Sequence, residues 1–232
     1  MSVQRPGRAT AVVLAAGSGQ RLGVDEPKAF LSFGGRALVA LSASAAAASP
    51  AIGSLVVAVP AGLEDRAREL LAGIELPSTV VTGGASRQDS VMLALAAVPD
   101  GVTVVVCQDA ARPFSPPDLF TAVVEAVDEH VNDAIPVVPV ADTVKRILSG
   151  RVVGTESREG LALAQTPQAF RLEALLEAHN RAREASVSFT DDAGALEWAG
   201  YRVAAVQGDP RNFKITTLMD LARAQARIEG GG

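Results

Sequence analysis

The sequence predicts an α/β fold with one mostly parallel sheet that is covered by helices on both faces. Short apolar runs alternate along the chain with longer segments of helical spacing, which is the order of a wound parallel sheet. The chain has 232 residues, of which 48% are hydrophobic, and this suits a single domain with a full core. We therefore expect residues 1–232 to form one domain.

The expected elements are seven strands and seven helices. Runs rich in β-branched and other apolar residues predict strands at 10–16, 54–59, 79–82, 102–107, 134–140, 162–166 and 202–207. Helical spacing or strong helix formers predict helices at 36–48, 63–73, 87–97, 117–130, 171–184, 192–199 and 217–228. A glutamate followed by three glycines ends the chain, and we expect a disordered tail at about 229–232.

One segment does not fit a wound sheet. Residues 143–148 and 151–153 flank Ser149-Gly150, a plausible turn pair, and this predicts a β-hairpin, here called the arm, at about 141–159. The arm carries four cations and too few apolar residues to bury both of its faces. It therefore lies on the surface of its own subunit or reaches onto another subunit.

Charge and cysteine content limit the partners and the location. The net charge of −5 argues against nucleic acid or an anionic membrane as the main partner, so phosphate binding must come from a few local cations. Cys107 is the single cysteine, which excludes an internal disulfide and suits a reducing compartment. With only two histidines, the sequence also argues against a zinc cluster or a His-based triad.

No window approaches the roughly 20 apolar residues that span a bilayer, and we expect a cytoplasmic protein.

The stretch from Leu14 to Leu22 indicates a phosphate-binding loop. An apolar strand stops at small residues and glycines, whose backbone N–H groups can approach an anion closely. A dinucleotide loop would need glycine where Leu22 stands, and the chain has no Gly-Lys pair for a Walker A loop. Arg21 and Lys28 follow instead. This combination suits a nucleoside triphosphate that is attacked at phosphorus.

The lysines are few and favour the same interpretation. Lys28, Lys145 and Lys214 are the only lysines, beside 18 arginines. Each lysine is therefore a candidate functional residue, because its compact ammonium differs from the planar group of arginine. Any one of them could equally lie on a solvated surface. Lys214 ends a Gly- and Pro-containing loop before the last predicted helix, where it can point into a cleft.

Asp109 falls just beyond the carboxyl end of a predicted strand. Ligands bind at that end in open α/β sheets, and a lone acid there suits Mg²⁺, which takes one or two carboxylates and completes its shell with phosphates and water. The alternative is that Asp109 caps the next turn and pairs with Arg112.

Two further motifs are weaker. In the segment Gly83–Ser90, Ser86 or Asp89 could cap a helix, and the exposed backbone groups and hydroxyls could equally contact a base edge. The segment Thr190–Asp192 predicts first of all a helix N-cap.

These motifs, in this order, resemble the 2-C-methyl-D-erythritol 4-phosphate cytidylyltransferases of the nonmevalonate isoprenoid pathway, from about Ala11 to Leu221. The residues that carry the resemblance are Ala15-Ala16-Gly17, Arg21, Pro27-Lys28, Asp109–Pro113, Asp142-Thr143, Arg158, Thr166-Pro167-Gln168, Thr190-Asp191, Asn212 and Lys214. One position departs from the pattern, because Gln108 stands where the family usually has histidine.

The resemblance implies a Rossmann-like domain of the nucleotide-diphospho-sugar transferase type, with CTP and methylerythritol phosphate as substrates and Mg²⁺ as cofactor. It also implies a homodimer in which the arm completes the neighbouring subunit's site. The implied catalytic residues are Arg21, Lys28, Arg158 and Lys214. The implied CTP contacts are Ala15, Ala16, Gly17, Ser18, Gly19, Gly84, Ser90, Asp109 and Ala110, with Asp109 as the metal ligand. The implied substrate contacts are Arg112, Asp142, Thr143, Thr166 and Thr190.

Two other functions stay open at this point. The same chemistry could use another polyol phosphate such as ribitol 5-phosphate, or the chain could be a nucleotide-binding subunit without catalysis. In the favoured reaction a substrate phosphate oxygen attacks the α-phosphorus of CTP in line, and pyrophosphate leaves. Such a site needs positioned cations and a metal-binding acid, not a nucleophilic side chain.

Overall fold

The structure is a computed structural model that describes residues 9–17, 26–128, 131 and 133–230. The strands are β1 (Ala9–Leu14), β2 (Ser32–Phe33), β3 (Arg36–Ala37), β4 (Ile52–Val59), β5 (Ser78–Thr82), β6 (Val104–Asp109), β7 (Asp133–Pro139), β8 (Val144–Leu148), β9 (Arg151–Glu156), β10 (Ala162–Ala164), β11 (Gln168–Arg171) and β12 (Val203–Gln207). The helices are α1 (Leu38–Ala47), α2 (Glu64–Leu71), α3 (Arg87–Leu95), α4 (Pro117–Glu125), α5 (Leu172–Glu184), α6 (Asp192–Ala199) and α7 (Leu218–Glu229), and a 3-10 turn covers Lys28–Phe30.

A mixed, mostly parallel sheet of eight strands forms the centre. Its order is β10-β7-β11-β6-β1-β4-β5, and β12 also pairs with β7. Strand β1 lies between β4 and β6, and all three run parallel. Strand β11 runs antiparallel to both β6 and β7. The carboxyl ends of β1, β4 and β6 therefore meet at one edge of the sheet.

Helices cover both faces of this sheet, as the sequence predicts. Val12 and Val13 are both fully buried but belong to different apolar clusters, because successive side chains of a strand point to opposite faces. The cluster around Val13 includes residues of α1, α2 and α4. The cluster around Val12 includes residues of α3, α5 and α6. A third, smaller cluster seats α7 against Ile215 and the β2–β3 hairpin.

Four sequence-based expectations are corrected. The strand β11, which the sequence analysis missed, lies in the middle of the sheet. The helix expected at 36–48 begins only at Leu38, since residues 36–37 pair with β2 across two glycines that have positive φ. The helix expected at 117–130 ends at Glu125. Glu229, assigned to the disordered tail, is the last residue of α7, and residues 231–232 of that tail lie outside the described residues.

The hairpin predicted for the arm is confirmed. Strands β8 and β9 pair with each other in a separate two-stranded sheet. Ser149 and Gly150 connect them with φ of 48° and 76°, as a tight turn between twisted strands requires. Four large apolar side chains of the arm are more than half exposed, namely Ile147, Leu148, Val152 and Val153.

Among the described residues, none of the helices combines the length and the apolar character that a membrane crossing needs.

Asp133 is an acid buried at the start of β7. Its side chain is inaccessible to solvent, and neither carboxyl oxygen has a hydrogen-bond partner in the described part of the chain. Burial raises the pKa of Asp133 to about 7, and the negative charge of Glu197 adds to the effect. Because folding raises the pKa of this acid, the folded state is favoured most while Asp133 is protonated. The free energy of unfolding therefore decreases as the pH rises from about 4 through 7.

We therefore expect Asp133→Asn to raise the unfolding temperature relative to the unsubstituted protein, and by several degrees more at pH 8 than at pH 5. About 1 kcal/mol moves the midpoint of a domain of this size by roughly 2–4 °C. Thermal unfolding at the two pH values measures the difference. Asp100→Asn is the control, because Asp100 is exposed. A gain of equal size at both pH values would contradict this assignment.

Candidate active site

A cleft of about 520 Å³ opens where the carboxyl ends of β1 and β6 meet. Its lining comes from five segments, the loop after β1, the 3-10 turn, the start of α3, the loop after β6 and the segment before α7. The lining residues are Leu14, Ala15, Ala16, Gly17, Lys28, Ala29, Gly84, Ala85, Ser86, Arg87, Ser90, Asp109, Ala110, Ala111, Lys214 and Thr216. This is the edge at which ligands bind in open α/β sheets.

The cleft brings together most of the residues predicted to contact CTP. The predicted CTP contacts that line it are Ala15, Ala16, Gly17, Gly84, Ser90, Asp109 and Ala110. Two of the predicted catalytic residues, Lys28 and Lys214, line it as well. Ser18, Gly19 and Arg21 lie outside the described residues. Five separate sections of sequence therefore converge on one concave surface.

Asp109, the last residue of β6, is the charged centre of the cleft. Its Oδ2 lies 2.7 Å from Lys214 Nζ and 4.0 Å from Arg112 Nε. Its backbone is fixed on both sides, because its N–H donates to Thr166 Oγ1 and its carbonyl accepts from Ser42 Oγ. The pairing with Arg112 that the sequence left open is thus present, but Lys214 is the nearer cation.

The environment of Asp109 favours its ionised form. Burial alone would raise the pKa of this carboxyl, but the positive charges of Lys214, Arg87 and Arg112 outweigh burial and lower it. An ionised lone carboxylate at a cleft wall fits a Mg²⁺ ion whose other ligands are phosphates and water. Among the described residues, no group of three or more His, Cys, Asp or Glu side chains could hold a metal ion.

Lys28 connects the first loop to the segment before α7. Its Nζ donates to the carbonyl of Ile215 over 2.7 Å. The adjacent Ile215 N–H donates to the carbonyl of Ala111. Lys28 is therefore tied to the segment 214–216, and both Lys28 and Lys214 line the cleft.

The loop before α3 and the start of that helix form one wall of the cleft. Ser86 and Asp89 cap this helix reciprocally, which confirms the capping interpretation. Ser90 Oγ accepts from the Gly84 N–H and donates to the Ser86 carbonyl, so it closes the loop on itself. A Cβ on Gly83 would lie 2.3 Å from Ala16 Cβ. Only glycine lets the two loops approach this closely.

Arg87 is a cleft residue to which the sequence analysis gave no role. Its two Nη atoms donate to both oxygens of the fully buried Asp192, at 2.9 and 2.6 Å, and His179 Nε2 lies 3.1 Å from the same carboxylate. Burial opposes ionisation of Asp192, but Arg87 and His179 lower its pKa strongly. Arg87 thereby joins the start of α3 to the start of α6. An arginine in the first turn of a helix opposes the helix dipole, and this was the available signal that it has a buried acidic partner.

Arg112 and Thr166 make their described contacts inside the protein, and neither lines the cleft. Arg112 donates to the carbonyls of Asn212 and Ala164, at 2.7 and 3.3 Å. Thr166 Oγ1 accepts from the Asp109 N–H over 3.1 Å. Both residues brace the loops that carry Asp109, and their expected contacts with substrate stay predictions.

Four other predicted residues lie away from the cleft. Asp142, Thr143 and Arg158 are exposed at the base of the arm, where Arg158 donates to the carbonyl of Ala141. Thr190 is exposed just before Asp191, which caps α6 by accepting from the Gly194 N–H. The predicted N-cap is confirmed, whereas the substrate contacts of these residues stay predictions.

Comparisons with known proteins agree with one another. A model of the 2-C-methyl-D-erythritol 4-phosphate cytidylyltransferase family matches residues 9–230. The chain is 44% identical to a protein of that name from Frankia casuarinae, over 95% of this chain and 81% of the relative. It is 43% identical to another from Rhodococcus jostii, over 97% of each. Its fold is similar to the crystal structure of the Thermus thermophilus protein of that name, with a TM-score of 0.80 and 34% identity over 96% of this chain and 99% of the other.

Proposed function

Because the chain belongs to the 2-C-methyl-D-erythritol 4-phosphate cytidylyltransferase family, we propose that its cleft is the place where CTP and methylerythritol phosphate react. The protein is a nucleotidyltransferase that transfers CMP from CTP to 2-C-methyl-D-erythritol 4-phosphate. The products are 4-diphosphocytidyl-2-C-methyl-D-erythritol and pyrophosphate, and the reaction belongs to isoprenoid precursor synthesis. The observation that carries the location is the convergence of Lys28, Lys214 and Asp109 on one cleft.

The chemistry needs charge neutralisation and alignment. An oxygen of the acceptor phosphate forms a bond to the α-phosphorus of CTP while the bond from that phosphorus to the bridging oxygen breaks, and pyrophosphate leaves with the electron pair. Both reactants are anions, so positioned cations are the main contribution that side chains make. In our proposal Lys28 and Arg21 neutralise the α-phosphoryl group as its charge grows. Lys214 and a partner's arm residue hold the acceptor phosphate.

The proposal assigns the metal to Asp109. This carboxylate is ionised, lies at the cleft wall and has room for phosphate ligands beside it, as Mg²⁺ requires. When bound, the ion would neutralise phosphate charge and hold the triphosphate in one conformation.

We infer that the pyrimidine base binds beside the loop before α3. Gly83, Gly84 and Ala85 supply backbone and little side chain there, and a Cβ on either glycine would lie 2.3 Å from a neighbouring carbon. Ribitol 5-phosphate as acceptor and a subunit without catalysis are not favoured, because the family and the relatives are cytidylyltransferases of methylerythritol phosphate.

We further propose that the arm acts in a homodimer. Its four exposed apolar side chains need a partner surface, and Arg158 at its base lies outside the cleft of its own chain. An arm that crosses a two-fold axis would supply Arg158 to the other subunit's acceptor phosphate. A cytoplasmic location remains our prediction from the sequence.

Pyrophosphate release from a panel of nucleotides and acceptors tests the function. We expect release with CTP and methylerythritol phosphate in the presence of Mg²⁺, much less with UTP, ATP or GTP, and much less with ribitol 5-phosphate. Chelation of the metal with EDTA should stop the reaction, and added Mg²⁺ should restore it. Equal turnover with a purine triphosphate or with ribitol 5-phosphate would contradict the assignment.

Lys28→Ala and Arg21→Ala should each reduce turnover far more than CTP binding, because the two cations act mainly on the transition state. We expect kcat to fall by about 100-fold or more and the Kd of CTP to change by less than about tenfold. The exposed Arg68 of α2 provides a control cation in Arg68→Ala. If both cleft variants kept normal turnover, the assignment of the first loop would be wrong.

Mixed dimers test whether Arg158 serves the partner. Lys28→Ala and Arg158→Ala chains, each inactive alone, are mixed and allowed to exchange, with a mass-tagged chain to prove exchange. If the arm acts across the two-fold axis, one site of every mixed dimer is intact, and about a quarter of all sites regain activity. If Arg158 serves its own chain, every site keeps a lesion, and the exchanged mixture stays inactive.

A further inference from the structure

Asn212 is fully buried at the meeting point of three loops. One loop follows Asp109, the last residue of β6, and carries Arg112. The second precedes β11 and carries Thr166. The third is the segment before α7, in which Lys214 lies two residues after Asn212. The proposed function uses Asp109 and Lys214, and Arg112 and Thr166 hold the backbone near them in place.

The side chain of Asn212 bonds to the two other loops at once. Its Oδ1 accepts from Ser115 Oγ over 2.8 Å. Its Nδ2 donates to the carbonyl of Thr166 over 2.8 Å and to Gln165 Oε1 over 3.4 Å. The amide thus uses its donor and acceptor ends on opposite loops, a pattern that no other side chain of its size and shape reproduces.

The backbone of Asn212 is held by the same neighbours. Its carbonyl accepts from Arg112 Nη1 over 2.7 Å and from Gln165 Nε2 over 3.3 Å. Gln108 supports the arrangement from the far side, because its Nε2 donates to Ser115 Oγ and to the Arg112 carbonyl. Gln108 therefore serves the loop after β6 and not the cleft itself.

The segment 208–216 has no helix or strand of its own that would fix it. Its amino-terminal part is held by bonds of Gly208 to Val137 and of Asp209 to Gln165. On either side of Lys214 it is held by Asn212 and by Ile215, which is buried and bonded to Ala111 and Lys28. Lys214 lies between these two anchors, and its side chain is 40% exposed toward the cleft. The anchor on the Asn212 side therefore contributes to the position of the Lys214 backbone.

We propose that Asn212 is a positioning residue that fixes Lys214, and with it the acceptor phosphate, relative to Asp109. This inference rests on the proposed function. Asn212 acts through Lys214, so its loss should weaken use of the acceptor while the cytidine end of the cleft, which is built on the loops after β1 and before α3, stays intact.

The test uses Asn212→Ala and Asn212→Asp, the second of which keeps the shape but loses both N–H donors. At saturating CTP and Mg²⁺ we expect kcat/KM for methylerythritol phosphate to fall at least about tenfold, since a misplaced binding group of this kind is costly. The Kd of CTP without acceptor, measured by calorimetry, should stay within about threefold. An unchanged kcat/KM for the acceptor, or a Kd of CTP that rises by the same factor, would overturn the proposal.

A double variant distinguishes an effect through Lys214 from a general structural effect of Asn212. Lys214→Ala is combined with Asn212→Ala, and the double variant should lose little more than Lys214→Ala alone, because the two residues act on one contact. Losses that multiply would show that Asn212 acts elsewhere and would overturn the proposal.

Ser115→Ala keeps the test decisive if the Asn212 variants do not fold. It removes one bond to Asn212, and it should lower kcat/KM for the acceptor in the same direction by about threefold or more. Ser49→Ala is its matched control, a buried hydroxyl bonded to Thr121 Oγ1 at the opposite edge of the sheet, and it should leave the acceptor constant unchanged. Equal effects of the two serine variants would overturn the proposal.

The activity of the unsubstituted protein distinguishes failure of the proposed function from failure of the role of Asn212. If it releases no pyrophosphate from CTP and methylerythritol phosphate, the proposed function fails and the role of Asn212 fails with it. If it is active and the Asn212 variants match it, only the role of Asn212 fails.

Discussion

Lys214 Nζ lies 2.7 Å from Asp109 Oδ2, and this ion pair joins the two segments on which the cleft is built. Asp109 ends a buried central strand, so its position is set by the sheet. Lys214 lies in a segment without regular structure, so its position depends on the contacts of its neighbours and on the ion pair itself. In a chain of net charge −5, the cations of the proposed site are a few local side chains and not a basic surface. The ion pair also keeps a buried carboxylate ionised where a metal ion would need it.

Much of the fold followed from local patterns, and the exceptions have physical causes. β1 and β4 are runs of apolar residues because helices cover both of their faces, and such runs are readable from sequence. β11 was missed because it has only four residues, follows Pro167 directly and gains its place from pairing with β6 and β7, which are distant in sequence. Residues 36–37 of β3 were included in the predicted helix at 36–48 because the alanines that follow them are strong helix formers.

The sequence predicted the charged residues of the candidate site, but it did not predict the buried residues that hold them in place. Lys28, Asp109 and Lys214 were found because each stands at the end of an apolar run or loop and carries the charge that phosphate and metal need. Arg87 and Asn212 were given no role, since a buried ion pair and a buried amide are recognised only from their partners. The first loop beyond Gly17 and the contacts of the arm with a second subunit stay predictions.

A titration of the Asp109 carboxyl tests the central claim most directly. ¹³C NMR would follow its ionisation in the unsubstituted protein and in Lys214→Met, which keeps a side chain of similar length without the charge. The account predicts a midpoint below the ordinary aspartate range in the unsubstituted protein, because Lys214, Arg87 and Arg112 outweigh burial. In the variant the midpoint should move upward, since burial is then opposed by two cations only. The same midpoint in both proteins would contradict the claim that Lys214 holds this carboxylate in its ionised form.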